Sequence, residues 1–487
     1  MKVAVLGAGG FVGRALLQNN LGIDWVAVQR GEPSQLVREH CEWRSCDLLD
    51  PVQTEIALAG IDVAVFLVHS MAPRGIELQG YFQDIDALIA LNVAEAARAQ
   101  GVKKIVYLGG LLPANHHLSP HLESRLEVEE ILRTAGCPVI SLRAGIVIGA
   151  QGSSFAMMSK LVRRLPVMLA PSWTASKTEA VALEDAVHAL LEAVRMEVPD
   201  HRVFDLGSGE PLSYRELMCV TADLMGLKRR ILPVPWLNPR MSVAWVSLIT
   251  GAKRELVRPL VQSLLEDMLP RETHRFPGRR PPTPLREVLK QVLDAEKNPA
   301  RRVPLKKKPR LPHWGFQTRI VNRLPYLEHF NELQTGRAYF HWLGQFLPGL
   351  VRVRPVTADN FRIFFGFLPK AFLILKRHPE QERPGLAVFE IEQGLLVRRG
   401  DAEGPNSLQS FSFRRSREAK LSLGVIENYS PRLPRWTYRW TQALAHGVVM
   451  RLFARHLSSR YHQPVRSPVE ERLVRNISDQ ESPGPHR

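Results

Sequence analysis

The stretch MKVAVLGAGGFVGRALLQNNL, residues 1–21, decides the architecture. KVAVLG is short, apolar and rich in valine, and reads as a strand buried on both faces. It runs directly into Gly7-Ala-Gly-Gly10-Phe11-Val12-Gly13, and from Val12 to Leu21 the apolar residues fall at helical spacing. Each glycine of the triplet has its own use. Gly7 permits the sharp strand-to-helix turn, Gly10 lets phosphates approach the main chain without a Cβ in the way, and Gly13 lets the helix pack closely on the sheet. The N–H groups at the helix start then face an anion. A bare glycine triplet is a weak signal, but directly after a strand and before an amphipathic helix it stands in the context that dinucleotide recognition requires.

Working outward, DWVAVQR, DVAVFLVHS, KKIVYLGG, PVISLRAGIVIG and RVFDLGSG read as further strands. Asp84–Gln100, ending at Gly101, reads as a helix between two of them. This alternation implies an α/β, doubly wound parallel sheet of Rossmann type. An acid ending the second strand would bind the 2′-hydroxyl of NAD. Gln29-Arg30 stands there instead, with Glu32 beyond it, and Arg30 with Arg14 suits the 2′-phosphate of NADP; NAD stays open as the alternative. Asp47-Leu48 is expected near the adenine, and His69-Ser70-Met71 along the crevice at the strand ends. Ser153–Leu165, residues 181–194, Tyr214–Met225 and Pro259–Met268 read as helices of a substrate-side lobe, about 151–270.

The chain has 487 residues, 45% of them apolar, which allows two well-packed domains. Its formal charge of +17 is uneven, with thirteen Lys or Arg against four Asp or Glu between residues 271 and 310. That Pro-rich stretch, 271–311, reads as a basic linker, with contact to an anionic membrane surface as the sharper alternative. No nucleic-acid module accompanies the charge, so no nucleic acid is expected. The four cysteines form no CxxC pair and have no histidine at zinc-finger spacing. They read as reduced thiols, and no metal is expected. The first strand leaves no room for a signal peptide and no apolar run reaches the ~20 residues of a membrane span, so a cytoplasmic, at most peripheral, protein is expected.

From 312 to 466 the pattern changes to an α+β domain. An opening stretch with Tyr326, Phe330, Tyr339 and Trp342 reads as helix or loop, followed by strand-like runs at LVRVRP, FRIFFGF, AFLILKR, GLAVFEIE, GLLVRR, LQSFSFRR and KLSLGVIENY. A single long helix, about Arg435–His456, closes an antiparallel sheet, which suggests a helix-grip arrangement. Phe361, Phe364, Phe365, Phe367 and Phe372 are candidates to line a hydrophobic-ligand cavity there, or to be plain core. The helix with Trp436, Tyr438 and Trp440 either rests on a membrane or packs over the sheet. Residues 467–487 read as a disordered tail.

The runs GAGGFVG (7–13), VFLVHSM (65–71), LNVAEAARAQGVKKIVYLGGL (91–111), LSPHLESRLEVEEILR (118–133), LRAGIVIGAQGSSF (142–155) and FDLGSGEPLSYRELM (204–218), in that order, resemble the extended or atypical short-chain dehydrogenase/reductases. More narrowly they resemble NmrA-like regulators and the nucleotide-binding accessory subunit of respiratory complex I. The resemblance covers about 1–270; beyond it the chain is loosely similar to START-like lipid binders or to an uncharacterised bacterial domain. It implies nicotinamide dinucleotide binding and a small-molecule substrate. Catalytic members place a tyrosine four residues before a lysine, with a serine on the preceding strand. Here Gly109-Gly110 stand in place of the serine, and His121 and Arg125 in place of the pair. Two readings stay open: an NADPH-dependent reductase of a small carbonyl or quinone-like substrate using His121 and Arg125, and a non-catalytic redox sensor or assembly factor. Ser119, Glu123 and Ser124 are nearby polar substitutes for the missing relay, and Ser119 serves equally as a helix cap.

Overall fold

A computed structural model describes residues 1–19, 22–31, 41–70, 77–114, 118–150, 152–234, 239–278, 280–297, 316–366, 368–398 and 408–461. Glu32, Met71, Phe367 and the expected tail 467–487 lie outside these residues. The chain divides into two compact units, the first comprising residues 1–71 and 89–305, the second 72–88 and 306–487.

The first unit is built on a seven-stranded sheet in the order Arg202–Leu206, Val139–Ala144, Lys104–Gly110, Val63–Phe66, Lys2–Leu6, Asp24–Gln29, Glu42–Ser45. Every neighbouring pair is parallel. Val3–Leu6, Val26–Val28 and Val63–Phe66 are buried, as the β-branched runs require of strands covered on both faces. The chain winds outward from Lys2–Leu6 to one edge, then crosses to Val63–Phe66 and winds to the other. The carboxyl ends of these two central strands therefore border the switch point where α/β sheets open a crevice.

Helix boundaries follow local chemistry. Asp50 caps Pro51–Leu58 through Val52 N–H and Gln53 N–H, and Ser213 with Glu216 forms a capping box on Tyr214–Leu224. Three sequence expectations need correction here. The helix after the glycine turn ends at Leu17, with Gln18 as its cap; the expected end at Leu21 lies outside the described residues. The helix expected at Pro259–Met268 is Arg254–Ser263 and passes through Pro259, whose carbonyl accepts the Ser263 hydroxyl at 2.9 Å. Most consequentially, 271–311 is not linker throughout. Leu285–Lys297 is a helix whose Leu285, Val288, Leu289, Val292 and Leu293 join a core with Phe155, Leu217 and Met218. Its flanking prolines and charges mask an apolar stripe at i, i+3, i+4, i+7 and i+8.

The second unit is an eight-stranded sheet in the order Val351–Thr357, Asn360–Phe365, Leu373–Arg377, Leu386–Gln393, Ser410–Ser416, Leu421–Tyr429, Thr318–Leu324, Glu77–Gln79. All pairs are antiparallel except the last, in which Thr318–Ile320 run parallel to Glu77–Gln79. The opening stretch thus contains a strand, and GLLVRR contributes an isolated bridge at Val397 rather than a strand. Glu332–Phe346 and Gln442–Tyr461 pack on the sheet through one aromatic core: Tyr339, Phe340 and Trp342 meet Phe389, Phe411, Phe413 and Phe453. The expected single closing helix is two, Arg435–Trp440 and Gln442–Tyr461, separated at Thr441, which leaves helical geometry at φ −116°, ψ −81°. The proposed cavity phenylalanines divide between surfaces. Phe361 stacks on Phe340 at 4.3 Å in the core, whereas Phe365 is exposed and pairs with Phe372.

Candidate active site

The glycine turn is tied down from both sides. Gly7 has φ +93° and donates its N–H to Val28 O at 3.1 Å; Gly10 N–H returns to Gly7 O at 2.8 Å and Gly10 caps Phe11–Leu17. A Cβ on Gly13 would stand 2.6 Å from Gly7 O and 3.0 Å from Ala8 Cα. Gly13 thus keeps the helix against its own turn, a closer partner than the sheet expected for it. Gly9, which the glycine triplet does not count, matters as well: a Cβ there would lie 2.6 Å from Gln29 Oε1. The glutamine replacing the family acid therefore lies along the turn.

Phe11, Val12, Gly10 and Gly13 form one wall of a cavity of about 470 Å³. Phe11 also packs across to the loop opposite, where a Cβ on Gly149 would meet its ring at 2.9 Å. The next part of the wall brings together His69, from the exit of Val63–Phe66, and His121 and Arg125, from Pro120–Arg133. The two imidazoles lie 5.0 Å apart, tilted by 32°. Arg125 is buried, and its Nη1–H donates to Val68 O at 3.4 Å while its own carbonyl accepts the Tyr107 hydroxyl at 3.0 Å. Gly109 and Gly110 border the same space, and a Cβ on Gly109 would lie 2.9 Å from the Tyr107 ring. Ser119 takes the structural role: it caps its helix through Leu122 N–H and lies 2.8 Å from the Ser263 hydroxyl.

Beyond the histidines the cavity opens into an apolar lobe of Met157, Met158, Trp173, Val257 and Met268, with Tyr214 also in its wall. Among the described lining residues Arg125 is the one cation and there is no carboxylate. Burial pushes the Tyr214 phenol up to about 12, so it stays protonated near neutrality. No motif in the sequence points to Tyr214, which only the fold carries to this wall. The ion pairs on buried carboxylates that brace the surrounding strands stand apart from the cavity: Arg143 is bidentate to Glu129, Arg271 to Asp205 and Arg275 to Glu179. Hydrogen bonding to Glu179 raises the Arg275 pKa further above the usual guanidinium range.

The remaining expected cofactor residues lie outside the cavity wall. Arg30 is exposed at the end of the second strand and Arg14 is half-buried on the helix of the turn. Asp47 closes a turn by accepting Leu49 N–H at 3.3 Å, and Leu48 is buried, its carbonyl accepting Asn92 Nδ2–H at 2.9 Å. Glycine turn and cavity together fit a bound dinucleotide, with glycine main chain beside a half-open, largely apolar cleft.

Residues 3–207 match the model of the NAD dependent epimerase/dehydratase family. An uncharacterized chloroplastic protein of Arabidopsis thaliana is 26% identical over 234 residues, 43% of this chain and 70% of that protein. Among solved structures, the triphenylmethane reductase of Citrobacter sp. in complex with NADP(H) is 20% identical, with a TM-score of 0.48 over 60% of this chain and all of that one. The NADPH-dependent quinone oxidoreductase of Escherichia coli is 18% identical, with a TM-score of 0.46 over 60% of this chain and 99% of that one. The UDP-glucose 4-epimerase of Thermotoga maritima is 14% identical, with a TM-score of 0.46 over 61% of this chain and 99% of that one.

Proposed function

We propose that this chain, whose residues 3–207 match the model of the NAD dependent epimerase/dehydratase family, is an NADPH-dependent reductase of an uncharged carbonyl or quinone-like substrate. One observation carries the reading: a single cavity leads from the glycine turn past His69, His121 and Arg125 into a lobe of methionine, tryptophan and valine side chains. The dinucleotide would be held by Gly7, Gly10, Phe11, Val12 and Gly13, with Arg30 and Arg14 toward a 2′-phosphate and Asp47-Leu48 toward the adenine. When bound, it supplies a hydride. His121 gives a proton to the substrate oxygen as negative charge develops there, and the buried Arg125 guanidinium stabilises that charge. The apolar lobe excludes water and accepts a ring without charged substituents. A diphosphate-bearing substrate would leave its charges without cations there.

The test is NADPH absorbance followed with a panel of quinones and aldehydes. The wild type is expected to turn over, and His121→Ala to lose about 10²–10⁴-fold in rate while binding NADPH as before. Arg30→Ala is expected to weaken NADPH about tenfold and leave NADH unchanged. The filled space at Gly109 favours a second reading, a dinucleotide-binding sensor without turnover, because a serine side chain there would run into Tyr107. Tight NADPH binding with no oxidation across the panel decides for it.

A further inference from the structure

The closing helices of the second unit leave an apolar row uncovered. Trp436 is 69% exposed, Trp440 73%, Leu444 57% and Val448 39%. Within each helix the two lie one turn apart. The opposite faces are fixed in place. Tyr438, two residues from each tryptophan and so turned about 200° away, is buried against Phe316 at 5.6 Å and accepts from Gln79 Nε2 at 3.3 Å. Met450, Phe453 and Leu457 are buried in the aromatic core. The tryptophans point outward because the helix is anchored through its other side, not because it is loosely placed.

Along the closing helices themselves the charge has one sign. From Ser430 to Tyr461 the sequence contains six arginines and no Asp or Glu. Of these, Arg432, Arg439, Arg451, Arg455 and Arg460 are exposed. Two exposed tryptophans, followed by exposed aliphatic residues and accompanied on the same two helices by exposed arginines, have the chemistry of the bilayer interface. Indole rings settle at headgroup depth and guanidinium groups pair with lipid phosphates. No helix among the described residues is long and apolar enough to cross a membrane. The contact is therefore with a surface.

We infer that Trp436, Trp440, Leu444 and Val448 form a docking face for an anionic lipid bilayer, with the neighbouring arginines supplying the electrostatic attraction. A protein partner would need a carboxylate-rich rim around an apolar groove, and a second copy of this chain would set the same arginines against each other. A bilayer of anionic headgroups satisfies both features at once.

The experiment is flotation of the full chain with vesicles of phosphatidylcholine alone and of phosphatidylcholine mixed with phosphatidylglycerol. Wild-type protein is expected to float with the mixed vesicles at low salt and to be released by high salt. Trp436→Ser/Trp440→Ser and Arg451→Gln/Arg455→Gln are each expected to weaken binding about tenfold or more. Unchanged circular dichroism and NADPH affinity show that the variants are folded. The inference is overturned if wild type stays with the soluble fraction for both vesicle types, or if the tryptophan variant floats as well as wild type. It is also overturned if sedimentation shows a dimer that Trp436→Ser/Trp440→Ser dissociates.

Discussion

Gly13 shows how little room the nucleotide turn allows. Its missing Cβ would press on Gly7 O and Ala8 Cα, both main-chain atoms that cannot swing aside. Gly13→Ala is therefore expected to raise the NADPH dissociation constant about tenfold or more, measured by calorimetry, because the turn must open to admit the methyl. His446 offers a pH handle in the other unit. Burial pushes its imidazole down to about 4, and its Nε2 accepts from Asn322 Nδ2 at 3.2 Å. Above about pH 6.5 the ring is neutral in folded and unfolded chains alike, and its contribution to stability is complete. As pH falls from there toward 4, the unfolded chain takes up the proton first, so stability drops by up to about 3 kcal/mol. His446→Gln is expected to remove that share of the slope, read from thermal midpoints between pH 7 and 4.5. At this scale the glycines were legible because each answers a local backbone demand. The His69–His121 contact was not, because it depends on where a strand exit and a distant helix start are carried.

The same divide runs through the secondary elements. Central strands such as KVAVL and VAVF announce themselves, since double-faced burial demands unbroken β-branched runs. The helix Leu285–Lys297 was hidden inside a composition that reads as linker, yet its apolar stripe seals a core with Phe155 and Leu217. Leu289 is fully buried, and Leu289→Ala is expected to cost about 2–5 kcal/mol in denaturant unfolding; a true linker position would cost nearly nothing. The break at Thr441 escaped because no proline or glycine stands at it, the one glycine of Arg435–His456 being Gly447, well inside the second helix; the two helices bury different partners, Tyr438 against Phe316 and Phe453 against Tyr339.

Across the whole molecule, the order of domains along the chain is not the order of their parts. Glu77–Gln79 lies within the N-terminal half of the sequence yet forms the last strand of the second unit, where Gln79 bonds Thr318 and Asp84 pairs with Arg323 at 2.8 Å. A three-residue strand is too short to show a periodicity, so this loan was invisible in the sequence. Residues 306–487 expressed alone are expected to give less soluble and lower-melting protein than the same fragment co-expressed with residues 72–88, because Thr318–Leu324 would become an open edge. The borrowed strand also sets a timetable for synthesis. Gln79 and Thr318 are 239 residues apart, so at ordinary elongation rates the ribosome needs roughly ten to fifty seconds between delivering one and the other. For that interval the nascent chain must keep an unpaired β segment from the neighbours it would otherwise recruit.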